Sequence, residues 1–261
     1  MLMKISEIKE RLQFDNLSQE ELDNFRADER VGVQKLVKAY DKKQKAILKE
    51  KLDYRARSLY EKKCRELGYK FIAGIDEVGR GPLAGPVVAS AVILKEDSYY
   101  PGLNDSKKLS KGRREALYEE IIKDAVAYAI VEMDNYQIEK YNIYQATKLA
   151  MKKAISNLEV KPDFLLIDAM PLENIAIDSH SIIKGDTKSI SIAAASILAK
   201  VHRDRLMVEY AKKYPYYDFE NNMGYGTKKH LIGLEEYGIC PIHRRDFEPI
   251  KSMIKKGERN E

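Results

Sequence analysis

The chain has 261 residues, 44% of them hydrophobic, enough to bury the core of one large domain or of one domain plus a smaller one. It is 33% charged against an average of about 25%, and its formal net charge is +5. No apolar stretch approaches the roughly 20 residues of a membrane span, and the charged, amphipathic start Met1–Lys9 lacks the uninterrupted apolar core of a signal peptide. Two cysteines, Cys64 and Cys240, form no CxxC pair, which argues for a reducing compartment and against a zinc site or a disulfide framework. A soluble cytoplasmic protein is the expectation.

The charge is unevenly placed. Residues 31–70 hold 13 Lys+Arg against 5 Asp+Glu, an excess of eight, whereas residues 71–261 are balanced at 28 each. Residues 1–68 contain no proline and, before Gly68, only Gly32 among glycines. Ile5, Ile8 and Leu12 have helical spacing. Ser18-Gln19-Glu20-Glu21 reads as a capping box ahead of Leu22 and Phe25. Val33, Leu36, Val37, Tyr40 and Ile47 then mark one face of a long helix that could run to Leu67 and stop at Gly68. The division expected is a basic helical extension over 1–68 and a larger domain over 69–261.

The run Phe71–Ile75 has strand length and leads into two adjacent acids, Asp76 and Glu77, then Gly79-Arg80-Gly81-Pro82. The two acids either face solvent at a strand end or hold a cation, since burying like charges side by side is costly. The glycines favour the second by letting backbone approach something closely. A dinucleotide fingerprint is excluded: the glycine spacing is wrong by one, Pro82 intervenes, and Val87–Leu94 continues as a strand where a helix should open. A hairpin of two buried strands fits better.

Leu103–Ser110 has turn chemistry, and Ser110 can cap a helix over 111–123. Ala127–Met133 reads as a strand and Ile138–Leu158 as a helix. Pro162 then leads to Phe164-Leu165-Leu166-Ile167-Asp168, again an apolar strand closed by an acid. Ile175–Ile182 is a weaker fifth strand. Gly185-Asp186 precedes a helix rich in Ala and Ser that continues to about Lys213, and small side chains there let it lie close to a sheet. Asp186 is either a favourable charge at that helix N-terminus or a site residue. Thr227 can cap a short helix ending at Gly238, and a last helix is expected near Phe247–Ile254. The order predicts a mixed α/β sheet with helices on its faces, and sites in open sheets lie outside strand ends.

Several carboxylates without a clustered Cys or His suit a hard cation such as Mg²⁺, which keeps waters and takes substrate phosphate oxygens. Two such ions serve phosphodiester cleavage. Paired-carboxylate glycoside hydrolysis is the rival chemistry, disfavoured because adjacent acids on one strand cannot face each other across a sugar.

These residues carry a resemblance. Gly74–Val87, Asp105-Ser106-Lys107-Lys108-Leu109, Ile167-Asp168, Ser191–Lys200 and Gly224-Tyr225-Gly226-Thr227-Lys228 together look like bacterial ribonuclease HII, in order from residue 70 to about 250. The resemblance implies an RNase H-like five-stranded mixed sheet. It implies cleavage of RNA in RNA–DNA hybrids and at single ribonucleotides in duplex DNA, leaving a 3′-hydroxyl and a 5′-phosphate, with Mg²⁺ or Mn²⁺; the partners expected are the hybrid and the ribonucleotide-containing duplex, with no membrane, and the expected state is a monomer. It assigns the metal-binding acids to Asp76, Glu77, Asp168 and Asp186, with Asp204 the competitor for the last. It gives Gly79-Arg80-Gly81 the ribose 2′-hydroxyl, Tyr225 the adjoining sugar, and Lys107 a phosphate contact, a lysine that could equally be solvent-facing. Ribonuclease HIII shares the acids but differs at Arg80, and a hybrid-binding protein with a dead site is the non-enzymatic alternative.

Overall fold

The computed structural model describes residues 3–14 and 17–257, and the chain divides into two compact units, residues 1–55 and 56–261. The first unit is helical. Helix α1 (Ile5–Arg11) is followed by α2 (Gln19–Ala27), whose capping box forms as the sequence predicts: Glu21 N–H donates to Ser18 Oγ, and the Glu21 carboxylate accepts from Ser18 N–H. Ile8, Phe25, Val33 and Val37 form its small core. Helix α3 (Val31–Arg57) ends earlier than its hydrophobic spacing suggests. Ser58 leaves the helical conformation, and a separate helix α4 (Leu59–Glu66) carries the chain to the stop at Gly68, where φ is +97°. No glycine or proline marks that break.

The second unit is built on one five-stranded sheet in the order β3-β2-β1-β4-β5. Strands β1 (Ile72–Val78), β2 (Val87–Ile93) and β3 (Ala127–Met133) form an antiparallel meander. Strands β4 (Phe164–Asp168) and β5 (Asp178–Ile182) add in parallel beyond β1, so they need crossovers. Helix α5 (Lys111–Asp124), capped by Ser110, joins β2 to β3, and α6 (Asn135–Ser156) joins β3 to β4. Asn142, at φ +60°, kinks α6, a break the sequence pattern does not announce.

The two sheet faces are covered differently. Ala73, Ile75, Ala89, Ala91 and Ile93 pack against Ala146, Ala150, Met151 and Ala154 of α6. The alternate positions Gly74 and Ser90 face the long helix α7 (Ile190–Lys213). A methyl group on Gly74 would overlap the Ser191 backbone, so only glycine lets helix and strand approach this closely. Ser90 Oγ donates to the Ala195 carbonyl at 2.6 Å, tying strand to helix again. The N-terminus of α7 is held by Ser189, whose Oγ accepts from Ile192 N–H. It is held also by Glu61 of α4, which accepts from Ser189 Oγ at 2.5 Å and Ser191 N–H at 3.0 Å. Burial raises the Glu61 pKa above the usual carboxylate range.

After α7 come α8 (Phe219–Asn222), α9 (Lys228–Tyr237) and α10 (Ile250–Gly257). Thr227 caps α9 as expected. Together with the end of α7 they bury Leu83, Met207, Phe219, Leu234 and Ile250 in a second core. No helix among the described residues is long and apolar enough to cross a membrane.

Candidate active site

Asp76 and Glu77 do not follow strand β1; they lie inside it. On one side β2 continues to pair with them, Asp76 opposite Ser90 and Glu77 opposite Ala89. On the other side the parallel pairing with β4 stops at Ile75 opposite Ile167. The next residues along are Asp76 and Asp168, so the two acids stand side by side where the sheet opens. Asp186 reaches the same place from a short 3-10 turn, Gly185–Thr187, just before α7. Asp168 Oδ1 accepts from Gly185 N–H at 2.6 Å, which fixes that turn against the end of β4.

A cavity of about 400 Å³ results. Its lining includes all nine residues singled out in the sequence: Asp76, Glu77, Asp168 and Asp186; Gly79, Arg80 and Gly81; Lys107; and Tyr225. Lys107 stands exposed on a second 3-10 turn, Ser106–Lys108, and Tyr225 is 46% exposed at the rim. Ser106, Ser196 and Lys200 line the cavity too, and sequence reasoning passed them over. Ser196 lies in the Ala- and Ser-rich stretch of α7 that looks like packing material; here it hydrogen-bonds Asp76 and stands 3.1 Å from Ser106 Oγ. Asp204 does not line the cavity; it pairs with Lys200 at 2.7 Å.

The electrostatics are those of acids held out of water. Asp76 is 5% exposed. Burial first, then the charges of Glu77 and Asp168, push its pKa well above the usual range, against the pull of hydrogen bonds from Ser196 and from Glu77 N–H. Burial also raises Glu77, with Arg80 at 3.5 Å offsetting part of the effect. Asp168 is raised by burial, and Gly185 N–H and Lys107 moderate the shift. Asp186 is raised by burial and by Asp105 and Asp168. Four carboxylates in one cavity, with three cationic side chains, Arg80, Lys107 and Lys200, on its wall, form an all-oxygen donor set suited to a hard cation. Among the described residues no three His, Cys, Asp or Glu side chains are gathered into a ready-made ligand cluster. The cavity leaves room for water and phosphate oxygens to complete a coordination shell, which fits Mg²⁺ or Mn²⁺ better than a closed protein cage.

The ribonuclease HII family profile matches residues 73–250, and the family's N-terminal domain profile matches residues 4–65. The chain belongs to the ribonuclease HII family. A ribonuclease HII from Enterococcus faecalis is 55% identical over 251 residues, 96% of this chain and 98% of that protein. One from Listeria monocytogenes is 57% identical over 224 residues, 86% of this chain and 85% of that protein. Among solved structures, the ribonuclease H2 from Pyrococcus horikoshii OT3 superposes with a TM-score of 0.64 at 26% identity, covering 73% of this chain and 100% of that one. As a ribonuclease HII the chain is a type 2 ribonuclease H, a hydrolase. The helical extension, which the motifs alone leave without a family counterpart, falls within the N-terminal domain profile.

Proposed function

We propose that this ribonuclease HII is a monomeric endonuclease. It cleaves the RNA strand of RNA–DNA hybrids and cuts at single ribonucleotides in duplex DNA, using two divalent cations and leaving a 3′-hydroxyl and a 5′-phosphate. The observation that carries this reading is that the four carboxylates share one cavity wall with Gly79-Arg80-Gly81 and Tyr225. Chemistry for a phosphodiester and a strip able to read a ribose thus stand within one substrate's reach.

Asp76, Glu77, Asp168 and Asp186 would hold Mg²⁺ or Mn²⁺. When bound, such ions supply an activated water and charge stabilisation at the leaving oxygen. The chain's own residues do the rest. Ser196 and Glu77 N–H orient the Asp76 carboxylate. Gly185 N–H orients Asp168 and fixes the turn that carries Asp186. Arg80, 45% exposed and loosely paired with Glu77 at 3.5 Å, can swing between that carboxylate and a substrate phosphate. Tyr225 offers a flat apolar face to a sugar, and the Gly81 position keeps open the space beside its ring, which a methyl there would approach to 3.6 Å. The 2′-hydroxyl, donor and acceptor at once, is the group that separates RNA from DNA at such a strip.

The deciding experiment incubates the protein with Mg²⁺ and a duplex carrying one ribonucleotide. Cleavage at the ribonucleotide supports the proposal. Cleavage of long hybrids alone would point to a ribonuclease HIII-like preference, and binding without cleavage would refute an enzymatic site.

A further inference from the structure

Arg203 of α7 and Arg244 of the segment after α9 are 0% and 1% exposed. Burying two guanidinium groups near each other is costly: burial draws Arg203 down to about 10, and burial together with the Arg203 charge draws Arg244 down to about 9. Both remain charged at neutral pH, and core packing alone gives no reason for them.

Their donors are spent on backbone carbonyls. Arg244 donates from Nη2 to Gly79 at 2.5 Å, from Nη1 to Arg80 at 2.8 Å and from Nε to Gly85 at 3.0 Å. Arg203 donates from Nε to Pro86 at 2.9 Å, from Nη2 to Ala84 at 3.1 Å and from Nη1 to Met223 at 2.8 Å. Five of the six carbonyls belong to the loop between β1 and β2. The sixth belongs to the residue two before Tyr225. That loop contains Pro82 and Pro86, which lack N–H groups and donate to no ladder, and five of its carbonyls are taken up by the two arginines instead. Gly79 sits at φ +89°, and a side chain there would overlap Arg203 Nε. Leu83 N–H donates to the Gly224 carbonyl at 2.8 Å and closes the link between the loop and the Tyr225 turn.

The direction of these carbonyls has a consequence for the other edge of the same peptides. In a trans peptide the carbonyl of one residue and the N–H of the next point opposite ways. With the Gly79 and Arg80 carbonyls turned back onto Arg244, the N–H groups of Arg80 and Gly81 turn away from it.

We propose that Arg203 and Arg244 are positioning residues that fix the Gly79–Gly81 strip with its amides outward and lock it to the Tyr225 turn, so that ribose recognition depends on two side chains that do not line the cavity. The proposal rests on the reading of Gly79–Gly81 and Tyr225 as the ribose contact.

The test uses full-length Arg244→Lys and Arg203→Lys. Each keeps the charge but replaces a fixed three-donor fork by a single ammonium. Each protein is first shown to be folded by a cooperative melt. Cleavage at a single ribonucleotide in duplex DNA is then compared with affinity for the same duplex made wholly of DNA, measured in Ca²⁺. A shift of the strip by an ångström should lower kcat/KM at the ribonucleotide by about 100-fold. All-DNA affinity, which rests on phosphate contacts, should change by less than about threefold. Unchanged cleavage in both folded variants overturns the proposal. So does a parallel fall in cleavage and all-DNA affinity, or a failure of both variants to fold, because the arginines would then serve the fold rather than the strip. If the wild-type protein itself cuts without regard to the ribonucleotide, the reading of the strip fails and takes this proposal with it. That failure shows in the wild-type arm alone.

Discussion

Asp76→Asn should stabilise the protein in chelator while ending cleavage, and the stability order should reverse when Mg²⁺ is added. Asp76 is nearly inaccessible to water and lies beside Glu77 and Asp168. Arg80 answers Glu77 rather than Asp76. An asparagine retains one oxygen to accept from Glu77 N–H, now 2.7 Å from Asp76 Oδ1, and its new amide can donate to the Ser196 hydroxyl. The substitution therefore removes a buried charge and its repulsions at little loss of hydrogen bonding, a relief of about 1–3 kcal/mol. For a protein of this size each kcal/mol moves Tm by about 2–4 °C, so the variant should melt about 2–12 °C higher in chelator. A ligand at a thousand times its Kd stabilises the native state by about 4.1 kcal/mol, more than the relief in the variant. The wild-type protein should gain that in Mg²⁺, and the variant, short of a ligand, should gain far less. Calorimetry of both proteins in chelator and across an Mg²⁺ titration decides the matter. A variant that melts lower than wild type in chelator, or the same order of melting temperatures in both conditions, would refute the assignment of Asp76 as a buried, uncompensated metal ligand.

Asp186→Asn should lose most activity whereas Asp204→Asn, which frees Lys200 but removes no cavity acid, should retain most of it; steady-state rates with the reverse ranking would exchange the two roles. Tyr225→Ala should cost cleavage at a lone ribonucleotide about 5- to 150-fold, the worth of one stacked ring, and cost a long hybrid less because it offers many registers; equal losses on the two substrates contradict this. His243 accepts from Cys240 N–H at 2.8 Å and stands 2.9 Å from His230 Nε2, and burial with the His230 charge lowers it from 6.5 to about 4. Its contribution is therefore fully present above pH 6.5 and is lost as pH falls towards 4, by at most about 1.4 kcal/mol per pH unit; His243→Gln should flatten the unfolding free energy over that window, and an unchanged slope disproves the linkage. Lys35, Lys38, Lys42, Lys45 and Lys49 are exposed at spacings of three and four residues, one stripe along α3; changing them to glutamine should flatten the log–log salt dependence of duplex binding by up to about 0.9 per lysine, and identical slopes would exclude the stripe as a substrate contact.

What the sequence makes legible here is what local chemistry decides. Ser18, Ser110 and Thr227 cap helices because each can reach an N–H three residues ahead, a relation complete within four residues. The acids of β1 and β4 stand out because an apolar strand has no use for them. The break at Ser58 and the kink at Asn142 do not stand out, since neither has the glycine or proline that usually announces such a change. Even the strand end is misread: the apolar run stops at Ile75, but β2 pairs onward to Val78 while β4 does not pair beyond Ile75, and only that unequal pairing opens the sheet at Asp76.

The supports of the site are a different case. Glu61 reads as one more charge on a basic helix, Arg203 as one more on α7, and Arg244 as part of a cationic tail. Each is buried, and each finds its partners more than a hundred residues away along the chain, apart from the Arg203 bond to Met223. Those partners are mostly backbone groups, so no pattern of residue types could have named them. Trimming the extension at residue 68 is therefore expected to disturb the site as well as the extension. Such a cut removes Glu61 and leaves Ser189 and Ser191 at the N-terminus of α7 without their acceptor, immediately beyond the turn that carries Asp186. Loss of activity in that protein would then report a displaced Asp186 turn rather than a lost substrate contact. Charge-neutralising substitutions along α3, which leave α4 and Glu61 intact, separate the two causes.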